Sequence, residues 1–205
     1  MTAGGPYDAP QAAADVIDLA ESLGWQSFTW VAHSMSTVPA LHLACCAPMR
    51  VERLVLIGPP PPGGGASPGL IEAAKRIAFG DDEERIKALQ QMWGSRLSMS
   101  WISLKAQQWR ESAEPQAVAD YVDMFARDGV PDLGGTVEAP VIAIAGNEDP
   151  NELMRPGAVR AALQALCPRL TVRSIENCGH YPMQEAPPIF ASLVERAVTG
   201  AFDRP

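Results

Sequence analysis

The sequence WVAHSMSTVPALHLA, residues 30–44, passes from an apolar run of β type straight into an apolar helical run, with no ordinary loop between them. The run Ser27–Ala32 is rich in β-branched and aromatic residues and too short for a helix, so it predicts a buried strand. A helix is predicted from Met35 to about Ala47. The chain must therefore turn sharply at Ser34, and such a corner strains the backbone of the joining residue and directs its side chain outward.

The residues around this corner predict a nucleophile. Ala32 and Ser36 place small side chains two positions before and two positions after Ser34, where the strand and the helix approach each other. This is the pattern of a nucleophile elbow, usually written G-x-S-x-G. The backbone amide of Met35, at the start of the helix, is predicted to face the negative charge that forms when the serine attacks.

A serine hydroxyl needs a base to take its proton and an acid to orient that base. Asp149 follows the predicted strand Ala139–Gly146, and His180 follows the predicted strand Arg169–Glu176. The carboxyl ends of parallel strands share one sheet edge, so both side chains are predicted to lie near Ser34. The chain order serine, aspartate, histidine fits this architecture.

Neighbouring residues offer alternatives to these assignments. Glu148 is adjacent to Asp149 and is the alternative acid, although the spacing from the strand end favours Asp149. His33 is predicted either to line the substrate pocket or to hold a hydrogen-bonded structural position. Cys178 lies close to His180, but no elbow surrounds it, so a buried free thiol is predicted.

The order of elements predicts an α/β fold with a mostly parallel sheet flanked by helices. A helix at residues 10–23 precedes the first strand, and Glu52–Gly58 and Ala139–Gly146 are continuous apolar runs of the kind covered on both faces. The more alternating run 169–176 predicts a strand near a sheet edge, and a helix at 188–199 covers it. Strands that alternate with helices imply right-handed crossovers.

Between the second and third strands the chain is predicted to form a helical cap, residues 63–135. Four helical segments without a strand, 69–79, 82–93, 98–113 and 115–127, lie between a proline- and glycine-rich connector and a second loop at 128–135. Trp93, Trp101 and Trp109 are predicted to contact substrate, because pockets are lined by large apolar side chains. Residues 1–62 and 136–205 then form the two parts of the core.

Composition excludes several classes of partner. The formal net charge of −8 argues against binding to nucleic acid or to an anionic membrane. No apolar run is long enough to span a bilayer, and the N-terminus lacks the pattern of a signal peptide. The four cysteines show no metal-ligand spacing and predict free thiols in the cytoplasm. Neither a metal nor an organic cofactor is predicted, and the expected partner is a small-molecule substrate.

The elbow, the Gly146–Asp149 turn and the Gly179-His180 loop together resemble the α/β-hydrolase superfamily, in particular its cap-bearing bacterial esterases, lactonases and C–C hydrolases. The resemblance runs from about Tyr7 to the end of the chain. It implies that Ser34 attacks an acyl carbon, that His180 carries the proton and that Asp149 orients the imidazole. An aspartate nucleophile, known in other members, is disfavoured because the elbow carries serine.

The chain departs from this family before Tyr7, where members have further strands and a loop that supplies a second oxyanion donor. The strand at residues 27–32 is therefore predicted to be an open sheet edge, which favours association into a homodimer. Loss of one oxyanion donor costs on the order of 10²–10³ in turnover, which predicts impaired activity.

The residues and the resemblance together predict a serine hydrolase of a small apolar ester or lactone, or of a C–C bond. Two alternatives stay open at this point. One is a cofactor-free perhydrolase or haloperoxidase, which uses the same three residues. The other is a non-catalytic remnant of the fold that serves as a binding or assembly module.

Overall fold

Within the residues that the structure describes, a parallel sheet of four strands, each paired with the next in chain order, forms the centre of the protein. The computed structural model describes residues 7–93, 96–130 and 135–202, without the side chains of residues 70, 92 and 93. The strands are β1 (Phe28–His33), β2 (Val51–Ile57), β3 (Val141–Gly146) and β4 (Leu170–Ile175), each parallel to its neighbour. This confirms the predicted α/β class and the position of β4 at a sheet edge.

Helices cover both faces of this sheet. In the described residues the helices are α1 (Ala9–Ser22), α2 (Thr37–Cys46), α3 (Pro68–Phe79), α4 (Asp82–Trp93), α5 (Met99–Ser112), α6 (Pro115–Val122), α7 (Pro156–Leu163), α8 (Pro182–Glu185) and α9 (Pro187–Val198), of which α1, α2 and α7 cover one face of the sheet and α9 the other. Alternate residues of β2 face the two helical layers on opposite sides of the sheet. Leu54 and Leu56 are buried against α1, α2 and α7, whereas Val55 lies in a second core beneath Phe190 and Leu193 of α9. Every residue of β3 is buried, as its continuous apolar sequence predicts.

The helical insertion comprises α3 to α6 and follows β2. Leu89, Ile102 and Ala106 form a small core of its own between α4 and α5. The predicted single helix at 115–127 is instead α6 followed by a π-helical turn, Asp123–Asp128. Lys75 of α3 holds this turn through an ion pair of 2.6 Å with Asp123. The boundaries of the predicted cap at residues 63 and 135 stay a prediction. Residues 131–134, in the predicted second loop at 128–135, lie outside the described part of the chain.

Within the part of the chain that the structure describes, β1 is an edge strand of the sheet. β2 lies on one side of β1, and Val31 in β1 is 43% exposed. An exposed edge of this kind can pair with a further strand. A homodimer through β1 therefore stays a prediction.

Two other predictions concern the whole fold. All four cysteines carry free thiols, as predicted. Across residues 7–93, 96–130 and 135–202, each helix is too short or too polar to cross a bilayer.

Candidate active site

The corner after β1 has the strained backbone that the sequence predicts. Ser34 has a φ of 53°, a left-handed value that is uncommon for residues other than glycine. A single 3₁₀ turn, Ser34–Ser36, leads from the strand into α2. Ser36 stabilises this turn, because its hydroxyl accepts a hydrogen bond from the His33 amide at 2.9 Å and donates one to the His33 carbonyl at 2.8 Å. Serine therefore fits where the usual pattern has glycine.

The structure brings the three predicted residues into one chain of hydrogen bonds. The Ser34 hydroxyl donates to Nε2 of His180 at 2.9 Å, and Nδ1 of His180 donates to Oδ2 of Asp149 at 2.7 Å. Asp149 is 1% exposed, and its second oxygen accepts from the Asn151 amide at 2.9 Å. A buried carboxylate that accepts hydrogen bonds in this way can orient an imidazole and stabilise its protonated form.

Gly58, directly after β2, makes room for the imidazole of His180. It has a φ of 51°, and a Cβ at this position would lie 3.2 Å from both Cε1 and Nδ1 of the ring. A larger residue would therefore press on the ring and strain the backbone. In the sequence, the glycine that ends the apolar run Glu52–Gly58 was the feature from which this close approach could have been predicted.

His33 takes the hydrogen-bonded position that was one of its two predicted roles. Its Nε2 lies 2.8 Å from the His180 carbonyl oxygen, and its ring lies 5.1 Å from the ring of Tyr181. Burial, reinforced by the neighbouring His180, lowers the pKa of His33 to about 4. The ring is therefore neutral at pH 7, and Nε2–H donates to the carbonyl. His33 thus links the serine corner to the loop that carries His180.

Glu148 and Asp149 have separate partners. The Glu148 carboxylate forms an ion pair of 3.3 Å with Arg96, whereas Asp149 contacts His180. Glu185, whose side chain is buried, also pairs with Arg96, and it accepts hydrogen bonds from the Gly179 and Tyr181 amides. Arg96 and Glu185 were not predictable from the sequence, because no local spacing links a residue of the helical insertion to a loop after β4.

The predicted substrate contacts lie in different environments. Met35 is 36% exposed beside Ser34, and Trp101 is 38% exposed with the Lys105 ammonium above its ring. Trp109 packs against the core of the helical insertion. Trp93 ends α4, and its side chain lies outside the described part of the structure. Contact of these four residues with substrate stays a prediction.

Cys178 is a buried thiol, as predicted, and burial raises its pKa to about 12. A thiol with so high a pKa is protonated at neutral pH and is a poor nucleophile. Among the described residues, no group of three His, Cys, Asp or Glu side chains could hold a metal ion.

Comparison with known sequences points to one family. The sequence profile described as "Alpha/beta hydrolase family" matches residues 2–193. N-formylmaleamate deformylase from Pseudomonas putida is 24% identical over 203 residues, which span 94% of this chain and 73% of that protein.

Solved structures share the fold. The chain matches a bromoperoxidase from Bacillus anthracis with a TM-score of 0.83 at 17% identity, covering 97% of this chain and 77% of that one. An esterase from Exiguobacterium antarcticum gives a TM-score of 0.80 at 14% identity, with 95% and 75% covered. E-2-(acetamidomethylene)succinate hydrolase gives 0.73 at 20% identity, with 97% and 76% covered.

Proposed function

This chain is an enzyme of the alpha/beta hydrolase family, and we propose that it is a serine hydrolase that transfers the acyl group of a small, mostly apolar ester or lactone to water. The observation that supports the proposal most directly is the hydrogen-bond chain from Ser34 through His180 to Asp149. Each link has the length and the residue type that nucleophilic catalysis by serine requires.

The first half of the proposed reaction forms an acyl-enzyme. Ser34 Oγ attacks the carbonyl carbon while His180 Nε2 takes the hydroxyl proton. The Asp149 carboxylate stabilises the imidazolium that forms. The carbonyl oxygen becomes an oxyanion, and the proposed donor to it is the backbone amide of Met35, which lies in the 3₁₀ turn directly after Ser34. The leaving alcohol then departs with the proton from His180.

The second half returns the enzyme to its starting state. A water molecule takes the place of the alcohol, and His180 Nε2 removes its proton as the oxygen attacks the acyl carbon. The tetrahedral intermediate collapses, the carboxylic acid leaves, and Ser34 Oγ recovers its proton from His180. The left-handed backbone of Ser34 keeps the hydroxyl on the outside of the corner through both halves.

Amide hydrolysis is the second candidate, because the matched Pseudomonas protein is named as a deformylase. An N-formyl amide presents the same carbonyl carbon to Ser34, and the leaving group is an amine or amide nitrogen that must receive the proton from His180. Comparison of formate release from N-formylmaleamate with p-nitrophenyl butyrate hydrolysis, by the same preparation, decides which class of acyl compound is preferred.

The test of the proposed function is the dependence of turnover on Ser34. We expect p-nitrophenyl acetate and butyrate to be hydrolysed, and a fluorophosphonate to label the protein at Ser34. Ser34→Ala should lower turnover by about 10³-fold or more and abolish labelling. Ser100→Ala, on the exposed surface of α5, is the matched control and should retain both.

Two outcomes would contradict the proposal. Turnover that survives in Ser34→Ala would assign catalysis to another group. A folded protein that neither hydrolyses these esters nor reacts with the fluorophosphonate would favour the non-catalytic alternative. Cleavage of a C–C bond and perhydrolysis would use the same three side chains, so assays with a vinylogous diketone and with peroxide plus acetate separate them from ester hydrolysis.

A further inference from the structure

The helical insertion contacts the loop that carries His180, which we define as residues 176–185. Tyr181 follows His180 directly, and its ring packs against the core formed by Leu89, Ile102 and Ala106. Burial raises the pKa of Tyr181 to about 12, so the side chain is neutral over the working pH range. One face of the insertion therefore rests on the residue next to the proposed general base.

A charged contact joins the same two parts of the protein. Arg96 lies between α4 and α5, and its Nε donates to the Glu185 carboxylate at the end of α8. Its Nη1 forms an ion pair of 3.3 Å with Glu148, the residue before Asp149. Gly179 accommodates this arginine, since a Cβ at that position would collide with the guanidinium. Arg96 thus contacts both loops that supply the proposed base and its orienting acid.

Glu185 holds the backbone on both sides of His180. Its Oε2 accepts from the Gly179 amide at 2.8 Å, and its Oε1 accepts from the Tyr181 amide at 3.0 Å. The Glu185 side chain is only 1% exposed, whereas that of Arg96 is 23% exposed. A buried carboxylate is costly unless a cation and hydrogen-bond donors compensate it. The two hydrogen bonds that Glu185 accepts from these amides therefore depend on the guanidinium of Arg96.

We propose that Arg96 is a positioning residue that couples the helical insertion to the geometry of His180 through Glu185. This inference rests on the proposed function, because it assigns a consequence for catalysis to the contact. When the insertion moves away from the core, Arg96 leaves Glu185, and the backbone around His180 loses its fixed position. Full activity then requires the insertion to be seated against residues 176–185.

The kinetic test compares Arg96→Met with Arg96→Lys and with Arg110→Met. Methionine retains the apolar stem of Arg96 without its charge. We expect kcat for p-nitrophenyl butyrate to fall about 10- to 100-fold, the scale of a misplaced catalytic group, with KM within threefold. Arg96→Lys should recover part of kcat. Arg110, which pairs with Asp82 on the insertion, is the matched control and should stay within twofold.

A double substitution tests whether the two residues act as a unit. Glu185→Gln removes the charge that Arg96 compensates and replaces one of the two acceptor oxygens with an NH2 group, which cannot accept from a backbone amide. If the pair acts through one path, Arg96→Met with Glu185→Gln should lower kcat no further than the more harmful single change. Additive losses would show that the two residues act independently and would overturn the coupling.

Amide hydrogen exchange supplies a readout that does not need turnover. We expect exchange at the Gly179 and Tyr181 amides, followed by NMR, to accelerate at least tenfold in Arg96→Met and to remain unchanged in Arg110→Met. Unchanged exchange together with unchanged kcat in Arg96→Met would overturn the inference, and Arg96→Gln, which also lacks the charge, gives the same comparison if the methionine variant fails to fold. Loss of the proposed function would instead appear as absence of Ser34-dependent turnover in the unsubstituted protein.

Discussion

His33 should make the protein less stable as the pH falls from 8 to 5. Its pKa is about 4 in the folded protein, against an ordinary value of 6.5 in the unfolded chain. Between these two values the unfolded chain binds the proton more tightly, so protonation favours unfolding. The contribution of His33 to stability is fully present above pH 6.5 and is lost as the pH falls towards 4.

The magnitude follows from the two pKa values. At about 1.36 kcal/mol for each pH unit, the full loss is about 3 kcal/mol near pH 4, and about 2 kcal/mol is already lost at pH 5. His33→Gln removes the titrating ring and leaves an amide that can donate to the His180 carbonyl. We therefore expect the substituted protein to lose about 2 kcal/mol less stability than the unsubstituted one between pH 8 and pH 5.

Urea unfolding followed by tryptophan fluorescence at the two pH values measures this difference. His42→Gln is the control, because burial lowers the pKa of His42 as well. Equal losses of unfolding free energy in His33→Gln and in the unsubstituted protein would refute the reasoning. So would a pH dependence that disappears in His42→Gln and persists in His33→Gln.

Three further substitutions test the site and the sheet edge. Gly58→Ala should cost about 1–2 kcal/mol of stability and lower kcat about tenfold, measured by urea unfolding and ester hydrolysis, because its Cβ would press on the His180 ring. Asp149→Asn should lower kcat about 10³- to 10⁴-fold at unchanged stability of the fold, measured by steady-state kinetics and circular dichroism. Val31→Lys should convert a dimer into a monomer by light scattering if β1 pairs with a second copy, and a dimer that persists would place the contact elsewhere.

The fold was predictable where one local pattern decides one element. The apolar runs of β2 and β3 are buried on both faces. Ser34 has the left-handed backbone conformation that the abrupt change from strand to helix and the small residues around it predict. Parallel strands then bring Asp149 and His180 to the same edge by topology alone. These features depend on residues that lie close together in the chain or on the shared direction of strands.

Long-range side-chain contacts were not predictable in the same way. Arg96 and Glu185 are far apart in the chain, and no period or motif relates them. The π-helical turn after α6 likewise has no signal in a sequence whose apolar spacing continues as an ordinary helix. The role of Ser36 was also not predictable. The requirement for a small residue at this position would be met equally well by glycine, and the stabilising effect of serine comes from its two hydrogen bonds with His33.

The position of His180 is held by contacts from separate parts of the chain. Its Nδ1 is bound by Asp149 after β3, and its carbonyl accepts from His33 at the end of β1. The backbone amides of Gly179 and Tyr181, on either side of it, donate to the Glu185 carboxylate. Arg96, from the helical insertion, pairs with the negative charge of this carboxylate. The carbonyl and ring contacts come from the sheet, whereas the charge that supports Glu185 comes from the insertion. Movement of the insertion would therefore change the backbone of residues 176–185, and with it the geometry of His180, although Asp149 and His33 still contact this residue. We therefore expect Arg96 to affect kcat as a positioning residue that does not itself touch the substrate.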